Sequence, residues 1–286
     1  MKNLPDHQKG IIAVLAAALL WSTGGILVKL ITLTPMQISF SRCFFASLVF
    51  LALFRKKLLL VNWFTFLNAF FYAALLTLYV IATKTTTAAN AIFLQYTAPI
   101  YVLLFEPLIN KTKYEKLNII TISVCVVGMF LFFTGKLSPG DLKGNLLALL
   151  SGIIFAAFLL GMRKNDHKYQ FSSIFYGNII VVIFLLPSMF EVQSISTSDF
   201  SMLAFLGIFQ IGIAYAIFSY GLKRVYAVEA SLISMIEPVL NPVWVLIWYG
   251  EIPSFFAIIG GIIILVAIAS RTVISGSPAL RARFKS

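Results

Sequence analysis

Eight uncharged stretches of at least 19 residues constrain this chain more than any other feature of its 286-residue sequence. About 20 apolar residues in helical conformation cross a bilayer core, and each stretch comes close to that length or exceeds it. The stretches are 10–28, 58–83, 85–105, 117–135, 144–162, 169–190, 200–222 and 252–270. This pattern is typical of a polytopic membrane protein built from transmembrane helices.

Two further stretches are long enough to cross a membrane, but each contains one charged residue. Residues 30–54 contain Arg42, and residues 230–250 contain Glu237. With these two, the sequence predicts ten transmembrane helices, which we number span 1 to span 10 in chain order. Ten helices use about 200 residues, so the loops and tails are too short to hold a soluble domain.

The composition agrees with a lipid environment and explains the net charge. Hydrophobic residues make up 60% of the chain and charged residues 11%, against about 25% charged residues in a soluble domain. Of the 22 Lys and Arg residues, 17 lie on the side that holds both termini. The other side holds four, Lys29, Lys84, Lys136 and Lys143. The positive-inside rule therefore predicts cytoplasmic termini in a bacterial inner membrane, and the charge of +12 does not indicate nucleic-acid binding.

An internal repeat becomes visible when the sequence is compared with itself at a shift of 139 residues, where 79–99 aligns with 218–238. The repeat divides the chain into a first unit, 1–139, and a second unit, 140–286, which ends in a basic cytoplasmic tail. Each unit holds five spans, an odd number, so the second unit crosses the membrane in the opposite sense. The predicted fold class is all-α, with ten transmembrane helices in a 5+5 inverted-topology repeat.

Prolines interrupt matching helices of the two units. Pro99 lies within span 4, and its repeat mate Pro238 lies within span 9, followed by Pro242. Proline removes a backbone donor, so nearby carbonyls need another partner, which a substrate can provide. Interrupted helices at matching positions of inverted repeats are typical of secondary transporters, whose site lies near the midplane between the units. The alternative is a kink that serves only helix packing.

Four segments together resemble the ten-helix EamA type of the drug/metabolite transporter superfamily. They are LLWSTGGILVK at 19–29, PMQISFSRCFFASLVFLAL at 35–53, AIFLQYTAPIYVLLFEPL at 91–108 and SLISMIEPVLNPVWVLIWYGE at 231–251. The resemblance implies a 5+5 inverted fold, a central cavity lined by spans 1, 3, 4, 6, 8 and 9, and export of small metabolites such as amino acids.

The first unit departs from the family pattern at two places. Ala98-Pro99 stands where the second unit has Glu237-Pro238, and Phe105-Glu106 replaces the closing Gly-Glu. The resemblance therefore implies a site whose two halves are not chemically equal.

Ionisable residues inside a membrane are costly and indicate function, which makes Glu237 the first candidate. Ser234 and Asn241 lie three and four residues away, so a continuous helix places all three on one face, toward the cavity. We expect Glu237 to take up and release a proton during transport. The alternative is a structural ion pair with Arg42 of span 2, which lies at a similar depth.

The remaining binding candidates lie in spans 1, 3, 4 and 8. Gln95 and Pro99 share one stripe of span 4, and Tyr96 adds a hydroxyl beside them, unless it faces lipid. Three aromatic residues could form an amphipathic wall or stack on a substrate ring: Trp21, Tyr79 and Tyr215. Asn90 and Glu229, repeat mates at the starts of spans 4 and 9, are interpreted first as helix caps.

No motif of a hydrolase, a metalloprotease or a P-loop nucleotide-binding protein occurs, so we predict no enzyme, no metal and no cofactor. The predicted function is a secondary transporter that exports small metabolites, first of all aromatic or hydrophobic amino acids, by alternating access with proton coupling. Its partners would be the small-molecule substrate, the lipid bilayer and protons. Two alternatives stay open: an uptake carrier for a vitamin, a nucleotide-derived or a carboxylate solute, and an intramembrane enzyme on lipid-linked substrates.

Overall fold

The computed structural model describes residues 4–86, 88–111, 114–132, 134, 141–249 and 255–276. Helices in these ranges follow one another as ten consecutive rods. Spans 1 to 5 are α1 (Asp6–Trp21) with α2 (Gly24–Leu30), α3 (Pro35–Phe54), α4 (Trp63–Thr85), α5 (Ala88–Gln95) with α6 (Ala98–Asn110), and α7 (Lys116–Phe132). Spans 6 to 10 are α8 (Leu142–Lys164), α9 (Gln170–Leu185), α10 (Thr197–Phe205) with α11 (Ala214–Leu222), α12 (Ala227–Ser234) with α13 (Ile236–Tyr249), and α14 (Phe255–Gly276).

Most of the rods have the length and hydropathy of membrane-spanning helices. Within the described ranges, seven segments satisfy both criteria: Asp6–Leu30, Pro35–Phe54, Trp63–Thr85, Asn90–Ile109, Leu142–Lys164, His167–Glu191 and Thr197–Leu222. Two shorter apolar helices, Lys116–Leu131 and Ile258–Ile274, belong to spans 5 and 10. The predicted all-α fold with ten spans in two inverted sets of five is confirmed.

Several helices begin at a side chain that satisfies their first free backbone N–H groups. Thr34 and Asn62 form capping boxes with Gln37 and Thr65, at the starts of α3 and α4. Asp141 caps α8 through one hydrogen bond, in which its side chain accepts from the Gly144 backbone N–H. Such caps define the ends of the spans, because up to four N–H groups at a helix start have no partner within the helix.

The spans break at the positions that the repeat predicts. Span 4 is interrupted at Tyr96 and Thr97, and span 9 is interrupted at Met235, which is the repeat mate of Tyr96. Pro99 is then the second residue of α6, where its missing N–H costs no helical hydrogen bond. The same position in the second unit is taken by Pro238, the third residue of α13. The prolines therefore start new half-helices near the middle of the bundle.

Span 8 deviates in a different way, because a π-helical stretch, Leu206–Ile213, separates its two α-helices. Wider helical turns of this kind often occur at functional sites. This stretch carries Gln210, whose side chain turns toward Gly24 of span 1.

Small residues allow the spans to approach closely, as expected where lipid replaces water around the helices. A side chain at Gly10 of span 1 would overlap Arg224 and Val225 beside span 8. A side chain at Gly177 of span 7 would overlap Tyr72 of span 3. Spans 5 and 10 pack on each other in the same way, through Gly128. These contacts bring spans 1, 3, 7 and 8 together around the centre of the bundle.

We call the end of the bundle that holds residue 6 and the links 55–62, 165–169 and 223–226 the N-terminal face. The opposite end, with the links 31–34 and 192–196, is the distal face.

Candidate functional site

A small cavity lies between the two units, at the level of the helix breaks. Its lining residues are Trp21, Arg42, Leu75, Leu76, Tyr79, Gln95, Tyr96, Phe155, Gln210, Tyr215 and Glu237. They come from spans 1, 3, 4, 6, 8 and 9, as the family resemblance implies, and from span 2, which contributes Arg42. The cavity volume is about 40 Å³, enough for a few water molecules but not for a metabolite. In this conformation the cavity is therefore too small to hold a metabolite.

Glu237 and Tyr96 connect the two units across this cavity. The Tyr96 hydroxyl donates to Oε2 of Glu237 at 2.5 Å. Tyr96 is 3% exposed, so its side chain does not face lipid. Glu237 stands in the first turn of α13, where the positive end of the helix dipole favours a carboxylate. Each broken helix thus places one functional group next to its break.

Arg42 is held from the other side of the cavity by Gln210. Its Nη2 donates to Oε1 of Gln210 at 2.8 Å, and Nε2 of Gln210 donates to the Trp21 carbonyl at 3.4 Å. Arg42 is 2% exposed. Its Nε and Nη1 find no hydrogen-bond partner in the described part of the chain. Buried guanidinium groups normally have all their donors satisfied, so two donors remain for a ligand or for water.

Glu237 and Arg42 line the same cavity without a direct ion pair. The ion pairs found among the described residues, with a limit of 4.0 Å, do not include this pair. Glu237 instead accepts from Tyr96, and Arg42 donates to Gln210. In this conformation, Glu237 and Arg42 therefore do not form the structural ion pair that the sequence left open as an alternative.

Aromatic rings form one wall of the cavity. The ring of Trp21 lies 4.8 Å from that of Tyr215 and 4.9 Å from that of Phe218. Tyr215 also meets Tyr72 edge to face at 4.8 Å. Tyr79 completes the aromatic side from span 3. Rings with polar tips give an amphipathic surface that can accept an apolar side chain and still hydrogen-bond.

Three of the predicted binding residues do not belong to the cavity lining: Pro99, Ser234 and Asn241. Ser234 is the last residue of α12, and its hydroxyl donates to the Ala230 carbonyl at 2.8 Å. The Asn241 side chain packs against Gly25 of span 1. The expectation of one polar face assumed a continuous helix, and the break at Met235 separates Ser234 from Glu237.

Gln210 and Phe155 line the cavity although the sequence reasoning did not select them. Gln210 could have been found, because it is an amide in the middle of an otherwise apolar span. Phe155 carries no such signal, since aromatic residues occur along every surface of this chain.

The two residues interpreted as helix caps make other contacts. Glu229 accepts from Nη1 of Arg271 at 2.6 Å and lies 2.9 Å from Nε2 of His7. Asn90 donates to Oδ1 of Asn145 at 3.0 Å. The cap of α12 is supplied by the first unit, because Glu106 accepts from the backbone N–H groups of residues 227 and 228 at 2.8 and 2.7 Å. The cap interpretation of Glu229 is therefore wrong.

Polar contacts between the units bridge both ends of the bundle. At the N-terminal face these are the Glu106 cap and the Glu229 cluster, which Asn118 extends by accepting from Nε of Arg271 at 3.0 Å. At the distal face, the Thr32 hydroxyl donates to Asp199 at 2.7 Å, and the Thr86 hydroxyl donates to Asn145 at 2.7 Å. Polar contacts thus join the two units at both ends of the bundle, on either side of the cavity.

Comparison with known proteins gives consistent matches along the whole chain. The EamA-like transporter family matches twice, at residues 8–134 and 142–271. An uncharacterized transporter of Archaeoglobus fulgidus is 24% identical over 269 residues, covering 91% of this chain and 94% of its own. Human solute carrier family 35 member G1 is 23% identical, covering 93% of this chain and 79% of its own.

A solved crystal structure gives the same architecture independently of close sequence similarity. It has a TM-score of 0.80 at 18% identity, over 98% of this chain and 99% of the other. At that identity the likeness shows the fold alone. The family matches, in contrast, cover most of the chain and assign its family. The chain is a membrane transport protein and belongs to the EamA-like transporter family.

Proposed function

We propose that this transporter carries a small zwitterionic solute, an amino acid with an apolar or aromatic side chain, outward across the inner membrane. One observation carries the proposal: a single cavity holds a guanidinium with two unpartnered donors and, across from it, a carboxylate. A solute with one carboxylate and one ammonium group complements these two charges.

The cationic side of the cavity is suited to a carboxylate. Nε and Nη1 of Arg42 have no partner in the described part of the protein, and either N–H group can donate a charge-assisted hydrogen bond to a carboxylate. Gln210 fixes the third donor, Nη2, so the orientation of the group is set before the solute arrives. Pre-orientation of this kind lowers the entropic cost of binding.

The anionic side is suited to an ammonium group. Glu237 offers acceptor oxygens, and Gln95, which is 8% exposed, adds an amide nearby. Trp21, Tyr79 and Tyr215 provide the surface for the rest of the solute. The present cavity is too small for an amino acid, so binding requires the two units to move apart at one face.

The alternative cargoes fit this cavity less well. A nucleotide-derived or multiply charged carboxylate solute needs several cationic groups, and Arg42 is the single Lys or Arg among the lining residues of the described cavity. An enzyme acting on lipid-linked substrates needs its polar groups near one membrane interface. Here they lie beside the helix breaks, well inside the spans.

We further propose that Glu237 couples the solute to protons. A carboxylate can hold either the ammonium group of the solute or a proton, and the two occupancies exclude each other. Proton binding from one side would therefore expel the solute toward that side, which is the exchange that an exporter needs. The outward direction rests on the family, and the cytoplasmic position of both termini rests on the distribution of Lys and Arg.

Counterflow in proteoliposomes tests the proposal. Vesicles are preloaded with L-phenylalanine, L-leucine, their amides, their N-acetyl derivatives or succinate, and uptake of the labelled solute is followed with and without a pH gradient. We expect counterflow for the free amino acids alone, with accumulation that responds to the gradient. Equal counterflow of the amides or N-acetyl derivatives would refute two-point recognition, and counterflow of succinate alone would favour a carboxylate carrier.

A further inference from the structure

Buried polar atoms without a partner are concentrated between the cavity and the N-terminal face. In the described part of the chain they include both side-chain polar atoms of Asn68, the Tyr72 hydroxyl, Oδ1 of Asn178 and Oε1 of Gln170. Nε and Nη1 of Arg42 continue the series at the cavity. Asn68, Tyr72, Asn178 and Gln170 are all at most 1% exposed.

These residues lie at increasing depths from the N-terminal face toward the cavity. At 1.5 Å per residue, Asn68 lies about 7 Å and Tyr72 about 13 Å from the first residue of α4 at the N-terminal face. Asn178 lies about 12 Å from Gln170, the first residue of α9 at the same face. In order of depth, Gln170, Asn68, Asn178 and Tyr72 are separated by about 7, 5 and 1 Å, and one bridging water with two hydrogen bonds covers about 5–6 Å.

Contacts between neighbouring residues connect the series to the cavity. The ring of Tyr72 lies 4.8 Å from that of Tyr215, which lines the cavity. The Asn178 side chain lies beside the Tyr72 hydroxyl, without a hydrogen bond of good geometry.

Contacts at the other end connect the series to the surface. The Asn68 side chain lies against Gly161 of span 6. The next residue, Met162, accepts a hydrogen bond through its carbonyl from Nε2 of Gln170 at 2.9 Å. That nitrogen also lies 3.2 Å from Nδ1 of His167, in the link between spans 6 and 7.

Buried polar groups are almost always satisfied by protein or by ordered water, and internal water occupies sites that offer several polar partners. Five residues with unmet hydrogen bonds lie along one path between the helices, which fits a file of such waters: Arg42, Asn68, Tyr72, Asn178 and Gln170. The path runs between spans 2, 3, 6 and 7, whereas the Glu106 and Glu229 contacts that bridge the N-terminal face lie on spans 1, 4, 5, 9 and 10.

We propose that a file of bound water molecules along Asn68, Tyr72, Asn178 and Gln170 links the cavity to the N-terminal face and exchanges the proton of Glu237 with the solution at that face while the solute path there is closed. The inference rests on the proposed coupling role of Glu237. After the solute has left on the distal side, the neutral acid gives its proton to the file, an equivalent proton reaches the N-terminal solution, and the carboxylate is regenerated. The groups that face Glu237 are Tyr96, Arg42, Tyr79 and Tyr215, from spans 4, 2, 3 and 8.

Hydroxyl-radical footprinting of the full chain in proteoliposomes tests the water file without any solute. X-ray pulses generate radicals from bound water, and mass spectrometry locates the oxidised side chains. Tyr72 and Phe50 are both 0% exposed, but the side chain of Phe50 carries no polar atom and packs against the rings of Phe54 and Phe171. We expect Tyr72 to be oxidised at least about tenfold faster than Phe50. Equal rates would overturn the proposal.

Variants test whether the same residues hold the water. Asn68→Leu and Asn178→Leu remove polar partners and keep the branched shape of the side chain, and each should bring Tyr72 oxidation down toward the rate of Phe50. Ser39→Ala is the matched control, because Ser39 is also buried without a partner but lies near the distal end of span 2. Unchanged Tyr72 oxidation in both leucine variants would overturn the proposal.

A proton readout separates this inference from the coupling role itself. After a laser-induced acid jump, the infrared carbonyl band that disappears in Glu237→Gln reports protonation of Glu237. We expect Tyr72→Phe and Asn68→Leu to slow the rise of this band by at least about tenfold, with the final amplitude unchanged. An unchanged rate would overturn the proton path. Absence of the band in the wild type would overturn the coupling role, while footprinting still decides whether the water file exists.

Discussion

The breaks in spans 4 and 9 occupy the same repeat position but carry different chemistry. In span 4 the break falls at Tyr96 and is followed by Ala98 and Pro99. In span 9 it falls at Met235 and is followed by Glu237 and Pro238. The hydroxyl of Tyr96 has an apolar repeat mate, Met235, and the carboxylate of Glu237 has an apolar mate, Ala98.

This difference shows what the repeat determines and what it leaves free. The duplicated sequence places two half-helix starts at the centre of the bundle, and each unit then contributes one polar group that its mate lacks. The two groups meet in one hydrogen bond, from the Tyr96 hydroxyl to Glu237. Among the described lining residues, the cavity therefore holds one acid, Glu237.

The largest expected effect comes from removing the acid. Glu237→Gln keeps the shape and the hydrogen bond with Tyr96 but cannot exchange a proton. Accumulation of L-phenylalanine driven by a pH gradient should fall by about 100-fold. Counterflow without a gradient should persist at saturating L-phenylalanine, with KM raised by about tenfold because the ammonium group loses its charged partner. Glu191→Gln makes the same chemical change at an exposed site and is the control. Full gradient-driven accumulation by Glu237→Gln would rule out a coupling role for this residue.

Arg42 tests the cationic side of the same cavity. Arg42→Gln removes the charge and both unpartnered donors, and a charged hydrogen bond contributes roughly 1.5–3 kcal/mol, which corresponds to about 10- to 100-fold in affinity. We expect KM for L-phenylalanine to rise by about 30-fold, within this range. Arg42→Lys should recover only part of the loss, because a lysine ammonium group keeps the charge but lacks the planar set of donors that Gln210 orients. Equal KM values in the wild type and both variants would exclude carboxylate binding here.

A pair of repeat-mate variants measures the asymmetry directly. Tyr96→Phe removes the hydroxyl that contacts Glu237 and should lower gradient-driven accumulation by about tenfold, the worth of one hydrogen bond to a charged group. Met235→Leu changes the equivalent position of span 9, which holds no polar group, and should leave transport within about twofold. Equal effects of the two variants on accumulation would show that the breaks contribute to transport only as hinges, and that the Tyr96 hydroxyl has no role of its own.

The sequence predicted the architecture well because lipid imposes long uncharged helices, which are visible as runs of residues. It also selected Trp21, Arg42, Tyr79, Gln95, Tyr96, Tyr215 and Glu237, all of which lie together around one cavity. Ser234, selected by its helical spacing from Glu237, does not line the cavity, because span 9 breaks between the two residues at Met235. Asn241 shares α13 with Glu237 but packs against Gly25 of span 1. Gln210 was missed although it is an amide in an apolar span; the π-helical stretch that aims it at Arg42 has no simple pattern in the sequence.

The smallest expected effect concerns the cap that the first unit gives to the second. Glu106 accepts from two backbone N–H groups at the start of α12, at 2.8 and 2.7 Å, and so attaches the end of span 4 to the start of span 9. Loss of a helix cap costs about 1 kcal/mol, so Glu106→Gln should lower the thermal unfolding midpoint by about 2–4 °C. Because the contact joins the two units, the variant should also populate a state open at the N-terminal face about fivefold more. Dye labelling of a cysteine placed at Ala230, which is 0% exposed in the closed state, measures that population. If Glu106→Gln lowers the midpoint but leaves labelling at the level of the Glu191→Gln control, the cap stabilises α12 without acting as a gate.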